Sequence, residues 1–145
     1  MIELESKSRQ HYAFFMSINS RWMDNDIYGH VNNVSYYSYF DTVVNSYLIE
    51  QTNLNIHEDK TVAFVAASSC NYYQPISFPE SIEAALRVNK LGNKSVEYGL
   101  AIFKEGESLA CAAGSFTHVY VDRERGCSVT IPTHVRDILA QTNKT

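Results

Sequence analysis

Asp24, Asp26 and His30 lie close together in the stretch "RWMDNDIYGHVNN", residues 21–33, and Asn32 and Asn33 follow directly. Carboxylates can do two things to an activated carbonyl such as a thioester. One can attack the carbon to form an anhydride, or it can take a proton from an attacking water. Either path builds negative charge on the carbonyl oxygen, and the unpaired amides at a helix N-terminus are oriented donors for that charge. The residue types suit both requirements: Asp26 as nucleophile or general base, and the amides near Asn33 and Val34 as donors. His30 can donate to a substrate, orient Asp26, or satisfy a loop carbonyl, since a neutral imidazole does any of these. The competing reading of Asp26 is a side chain that caps the amides of its own loop. For Asp24 a pairing with Arg21 is favoured, although two neighbouring carboxylates would also raise one pKa. Asp24, Asp26 and His30 also suit a divalent cation, but no remaining ligand set accompanies them, so no metal and no cofactor are expected.

Such a motif needs elements to hold it. Upstream, "HYAFFMSINS" alternates Tyr12, Phe14, Met16 and Ile18 against smaller or polar residues, with Phe15 the exception, and this is strand periodicity. Downstream, "NNVSYYSYFDTVVNSYLIEQ" places Tyr37, Phe40, Val44, Tyr47 and Leu48 on one helical face, opposite Ser38, Asp41 and Asn45. Asn32 or Asn33 is the expected N-cap, and Gly29 marks a backbone conformation other residues resist. After "NLNIHEDK" the pattern is β. The strands read as "TVAFVAASSCNYYQ", "SIEAALRV", "VEYGLAIF" and "LACAAGSFTHVYVD", joined by the turns "QPISFPE", "LGNKS" and "KEGES". "IPTHVRDILA" predicts a short terminal helix with Val135, Ile138 and Leu139 on one face. One strand, a long helix, then four strands joined mostly by tight turns give an α+β domain with a curved antiparallel sheet. No repeat or linker interrupts the pattern, so residues 1–145 are expected to form one domain.

The bulk composition excludes several classes. A net charge of −4 without any block of lysines or arginines argues against nucleic acid as a partner. Cys70, Cys111 and Cys127 are odd in number and unclustered, which predicts no disulfide framework or zinc site. With a polar N-terminus and no long apolar run, the expectation is a cytoplasmic protein that does not engage a membrane. No Gly-x-Ser-x-Gly occurs, so serine-hydrolase chemistry is not expected.

"RWMDNDIYGHVNNVSYYSYFDT" resembles the signature of the 4-hydroxybenzoyl-CoA thioesterase-like branch of the hotdog-fold superfamily, as do "CNYYQPISFPESIEAALRVNKLGNKSVEYGLAIF" and "SVTIPTHVRDIL" in their turns and spacing. The resemblance covers nearly the whole chain. It implies a long central helix wrapped by a five-stranded antiparallel sheet, with two subunits pairing into one continuous sheet as a homodimer or a homotetramer. It implies active sites at the subunit interface, an acyl-CoA substrate and hydrolysis to free acid and CoA. The family's catalytic carboxylate falls on Asp26. Tyr28 stands where some members carry a small residue, and the helix offers only Asp41 and Glu50 as alternative acids.

Further candidates are weaker signals. Tyr36, Tyr37, Tyr39 and Phe40 read mainly as core, with Tyr36 and Tyr37 placed to line an acyl pocket. Ser68, Ser69 and Asn71 either pack in a sheet or reach a neighbouring subunit's site. The "KLGNKS" turn carries Lys90, Asn93, Lys94 and Ser95, where the family often places phosphate contacts, and Arg123 and Arg125 follow later. Cys70 and Cys111 read as small core residues. The rival to an enzyme is a hotdog module that binds acyl-CoA or an acyl chain without catalysis.

Overall fold

A computed structural model describes residues 6–142. Its centre is a helix, α1 (Asn33–Thr52), lying against a five-stranded antiparallel sheet. The strands are β1 (Phe14–Asn19), β2 (Thr61–Tyr72), β3 (Ser81–Leu91), β4 (Ser95–Lys104) and β5 (Ala112–Asp122), in the spatial order β1-β3-β4-β5-β2. A second helix, α2 (Thr133–Thr142), closes the described chain.

Tight turns set most of this order. Gly92 N–H donates to Ser95 O at 2.8 Å and closes the β3–β4 hairpin, and Glu107 N–H donates to Lys104 O at 3.0 Å where β4 turns toward β5. The crossover through α1 sends β2 to the far side of β5, so β1 and β2 form the two edges. β2 approaches β5 closely at Cys70 opposite Gly114, where any Cβ would run into the Ser69 backbone carbonyl.

The buried face of α1 is broader than the sequence spacing suggests. Tyr36, Tyr39, Phe40, Val43, Val44, Tyr47 and Leu48 are buried in steps of three and one, forming two adjacent ridges, while Tyr37 sits half-buried at the margin. These ridges pack on Ile82, Leu86, Tyr98, Leu100 and Phe116 of the inner sheet face. Full burial of such side chains contributes roughly 1.5–3 kcal/mol each. The opposite side of the sheet is buried too. Ala85, Ala101, Phe103 and Ala113 form a second cluster under Tyr12, with Phe15 and Tyr73 against it. Two readings of the first strand are corrected here. Phe15, which seemed to break the alternation, faces Phe103 at 6.0 Å between ring centroids. Tyr12 precedes β1 and packs in the reverse cluster rather than with Phe14, Met16 and Ile18.

Val135 and Leu139 anchor α2 as expected, with Ile138 packed beside them. The Tyr47 hydroxyl bonds Thr142 Oγ1 at 2.5 Å, and the Arg136 guanidinium donates to Gly92 O. Among the described residues no helix is long and apolar enough to cross a membrane.

Candidate active site

The loop between β1 and α1 is built on Asp24. Its carboxylate is almost wholly buried, at 1% exposure, and accepts from Arg21 N at 2.9 Å, Arg21 Nε at 3.1 Å, Arg21 Nη2 at 2.9 Å and the Tyr39 hydroxyl at 2.7 Å. Burial pushes this carboxyl's pKa up, but the Tyr39 hydroxyl and the Arg21 amide and guanidinium outweigh it and hold the pKa below the usual value. Asp24 also accepts Asn32 N–H at its backbone carbonyl at 2.8 Å. With both oxygens engaged, Asp24 fixes the start of the loop to the start of the helix and has no oxygen free to ligate a cation. The expected pairing with Arg21 is therefore present, and Tyr39 is the partner that sequence reading missed.

Asp26 opens a tight turn. Its N–H donates to His30 O at 3.0 Å, its carbonyl accepts Gly29 N–H at 3.0 Å, and Asn25 bridges Val31 in antiparallel register. Gly29 takes φ +84°, the left-handed conformation that this turn requires and that favours glycine. The ladder continues into the segment before β3. Val31 N–H donates to Ile76 O at 2.7 Å, Ser77 Oγ donates to Gly29 O at 2.9 Å, and Phe78 N–H donates to Asn25 Oδ1 at 3.1 Å. Asp26 is thus a half-buried residue on a pinned loop. Its Oδ1 accepts Tyr28 N–H at 2.9 Å, which is the loop-capping role, and this leaves Oδ2 without a partner among the described residues.

Asn32 is the N-cap of α1 and its Oδ1 accepts Val34 N–H at 2.9 Å. This corrects one expectation, because the Val34 amide is consumed by the cap. The Asn33 amide is the free donor of that pair among the described residues. Around it lies a cavity of about 280 Å³ lined by His30, Val31, Asn33, Tyr36 and the segment Tyr72–Pro75. Burial raises the pKa of the Tyr36 hydroxyl to about 12, so it stays protonated. Tyr72 reaches Asn33 O with its hydroxyl at 3.5 Å.

The structure therefore brings together His30, Asn33 and Tyr36 and adds Tyr72, a residue sequence reading did not single out. Asp26 is one hydrogen-bonded step away, across the ladder from His30, and is not on the wall of this cavity. Tyr37 stacks on Phe116 at 6.1 Å instead of facing this cavity. Ser68 and Ser69 are exposed along β2, with Ser69 Oγ 3.0 Å from Ser115 Oγ. Lys90 and Lys94 are exposed at the β3–β4 turn, whereas the other end of β3 abuts the Asp24–Val31 loop. A strand of that length spans roughly 35 Å, so within one protomer these lysines do not share a ligand with His30 and Asn33. Cys111 is buried and Cys70 half-buried, and neither forms a disulfide among the described residues.

The sequence that builds this helix entrance and its curved sheet is also matched by a family model. The model described as thioesterase-like superfamily matches residues 20–139. The chain belongs to that superfamily. Its fold is the hotdog fold. The chain is similar to the PA5185 protein of Pseudomonas aeruginosa strain PAO1, 52% identical with a TM-score of 0.91, over 94% of this chain and 95% of that one. It is 27% identical to the uncharacterized protein YsmA of Bacillus subtilis strain 168, over 90% of this chain and 88% of the relative. The hypothetical protein SAV2348 of Staphylococcus aureus, solved in complex with CoA, shares the fold at a TM-score of 0.82 and 18% identity, over 90% of this chain and 84% of that one.

Proposed function

We propose that this thioesterase-like protein hydrolyses an acyl-CoA thioester, with Asp26 as the reacting carboxylate and the Asn33 amide as oxyanion donor. The observation that carries this reading is the division of labour in the loop. Asp24 takes the structural load, while Asp26, on the loop that leads into α1, keeps one carboxylate oxygen without a partner among the described residues, and the Asn33 amide at the start of that helix is free. As nucleophile, that oxygen bonds the thioester carbon, the C–S bond breaks with its electron pair going to sulfur, and water then cleaves the anhydride to return Asp26. As general base, Asp26 takes the proton of an attacking water and passes it to the departing sulfur. Both routes give one acid and one thiol per water consumed.

CoA in the SAV2348 complex, together with membership of the superfamily, supports CoA as the thiol. A homodimer is part of this reading. β2 is a twelve-residue edge strand whose outer side has no partner among the described residues, and Phe64 and Val65 are exposed on it. Long apolar edges of this kind are rarely left open. Two copies joined there by a two-fold axis run their β2 strands antiparallel, so that the Thr61 end of one meets the Tyr72 end of the other. That arrangement carries one protomer's Lys90–Lys94 end toward its partner's helix entrance and gives Ser68 and Ser69 a place at the seam. The reading is tested with a panel of acyl-CoA thioesters of varied length and aromaticity, scored by release of free thiol. Turnover of at least one member is expected, and saturable binding of the whole panel with no thiol released would establish the non-catalytic binding module instead.

A further inference from the structure

A second cavity is larger than the one at the helix entrance. It has a volume of about 640 Å³ and lies where the C-terminal half of α1, the first residues of β2 and the end of β5 meet, against the segment leading into α2. That volume is within the range of small-molecule sites. Its lining combines apolar Leu48, Val62 and Val135 with charged Asp59, Lys60 and Arg123, and one further polar member is anomalous. His118 is 4% exposed, its Nδ1 has no hydrogen-bond partner among the described residues, and its ring lies near Phe116 and Tyr98 with ring centroids at 6.4 and 5.3 Å. Burial lowers its pKa to about 4, so the ring is neutral and offers a donor or acceptor to a neutral group. A buried polar atom left unpaired is destabilising, and a ligand that pairs it gains selectively.

The position of this cavity says what would fill it. The cavity borders Thr61–Phe64 at one end of β2, whereas Tyr72 at the other end borders the helix entrance. In one protomer these ends are roughly 35 Å apart along the strand. Antiparallel pairing of two β2 strands places the cavity of one protomer beside the helix entrance of its partner. We infer that this cavity takes the body of the acyl group whose thioester carbonyl lies at the partner's helix entrance, and that His118 selects acyl groups bearing a hydroxyl or carbonyl within that body. The assignment rests on the thioesterase reading above and makes His118 a specificity-determining residue outside the reacting centre.

Two matched probe pairs test it on the purified full-length protein. The first pair is octanoate and 8-hydroxyoctanoate, titrated by calorimetry into wild type and His118→Leu, with ring nitrogen shifts of His118 followed by NMR. The hydroxy acid is expected to bind wild type at least ~10-fold tighter than octanoate and to shift the His118 nitrogens, with the preference gone in His118→Leu. The second pair is the corresponding CoA thioesters, with the same preference expected in kcat/KM. Acid discrimination without any thioester turnover would refute the hydrolase reading and leave a His118 binding site standing. Normal turnover with no discrimination in either pair, or discrimination unchanged in a folded His118→Leu, would overturn the inference and leave the hydrolase intact.

Discussion

Asp24 and Asp26 are two residues apart in sequence and have opposite circumstances. Asp24 receives four side-chain or backbone donations and is sealed from solvent, while Asp26 receives one and keeps an oxygen free. Removing the Asp24 carboxylate leaves the buried Tyr39 hydroxyl and the Arg21 amide without their acceptor, so Asp24→Ala is expected to cost about 1–3 kcal/mol, measured by urea unfolding, the usual loss for an unpaired buried polar group. Tyr39→Phe removes one neutral donor and is expected to cost about 1–3 kcal/mol. His118 carries a different signature. Unfolding returns its pKa to about 6.5, so between pH 6.5 and about pH 4 the unfolded chain binds a proton that the folded chain refuses. Stability therefore falls as pH is lowered through that window, by up to about 3 kcal/mol at 1.36 kcal/mol per unit. His118→Leu is expected to flatten that part of the profile in thermal melts at successive pH values. The Asp24–Arg21 pairing was legible from spacing alone. The Tyr39 bond and the isolation of His118 were not, because each depends on a residue brought close by tertiary packing.

At the scale of elements, α1 and its entrance explain what the sequence pattern can and cannot reveal. The periodicity correctly located the helix, the sheet strands and α2, since each buries a face with its own repeat. Tyr36 and Tyr39 are core as expected, but the helical spacing did not include Val43, which is buried because the sheet curves around the helix and covers more than one stripe. The pattern also could not say which asparagine capped. Asn32 does so, and in doing so it takes the Val34 amide. Asn32→Ala is expected to destabilise the protein by about 1 kcal/mol, read from chemical denaturation, the usual loss for an N-cap. The same substitution frees a second donor at the entrance, so any fall in kcat should be small, provided that the fold is kept. Gly114→Ala is expected to be poorly tolerated in expression and melting assays, because its Cβ would displace β2 from β5 at the Ser69 carbonyl.

The whole molecule is where the sequence was least informative. A chain pattern identifies an edge strand but not what sits on its far side, and the two cavities belong to opposite ends of the same edge. Pairing along β2 would unite them. Sedimentation equilibrium is expected to give a species of at least twice the 16.5 kDa chain mass. Val65→Lys, which puts a charge on the exposed edge, is expected to shift the protein toward monomer and reduce turnover together. A monomeric protein with full turnover would separate the site from the pairing. The most direct measurement of the central claim is the turnover of Asp26→Asn beside its melting temperature. Asparagine keeps the Oδ1 acceptor that Tyr28 N–H uses, so the loop and the melting temperature should be preserved while the reactive carboxylate is lost. The expected result is a fall in kcat of at least ~100-fold with little change in affinity for the acyl-CoA, as when an interaction made only in the transition state is removed. Near-wild-type kcat in a folded Asp26→Asn protein would contradict the account and leave Asp26 as a turn-capping residue.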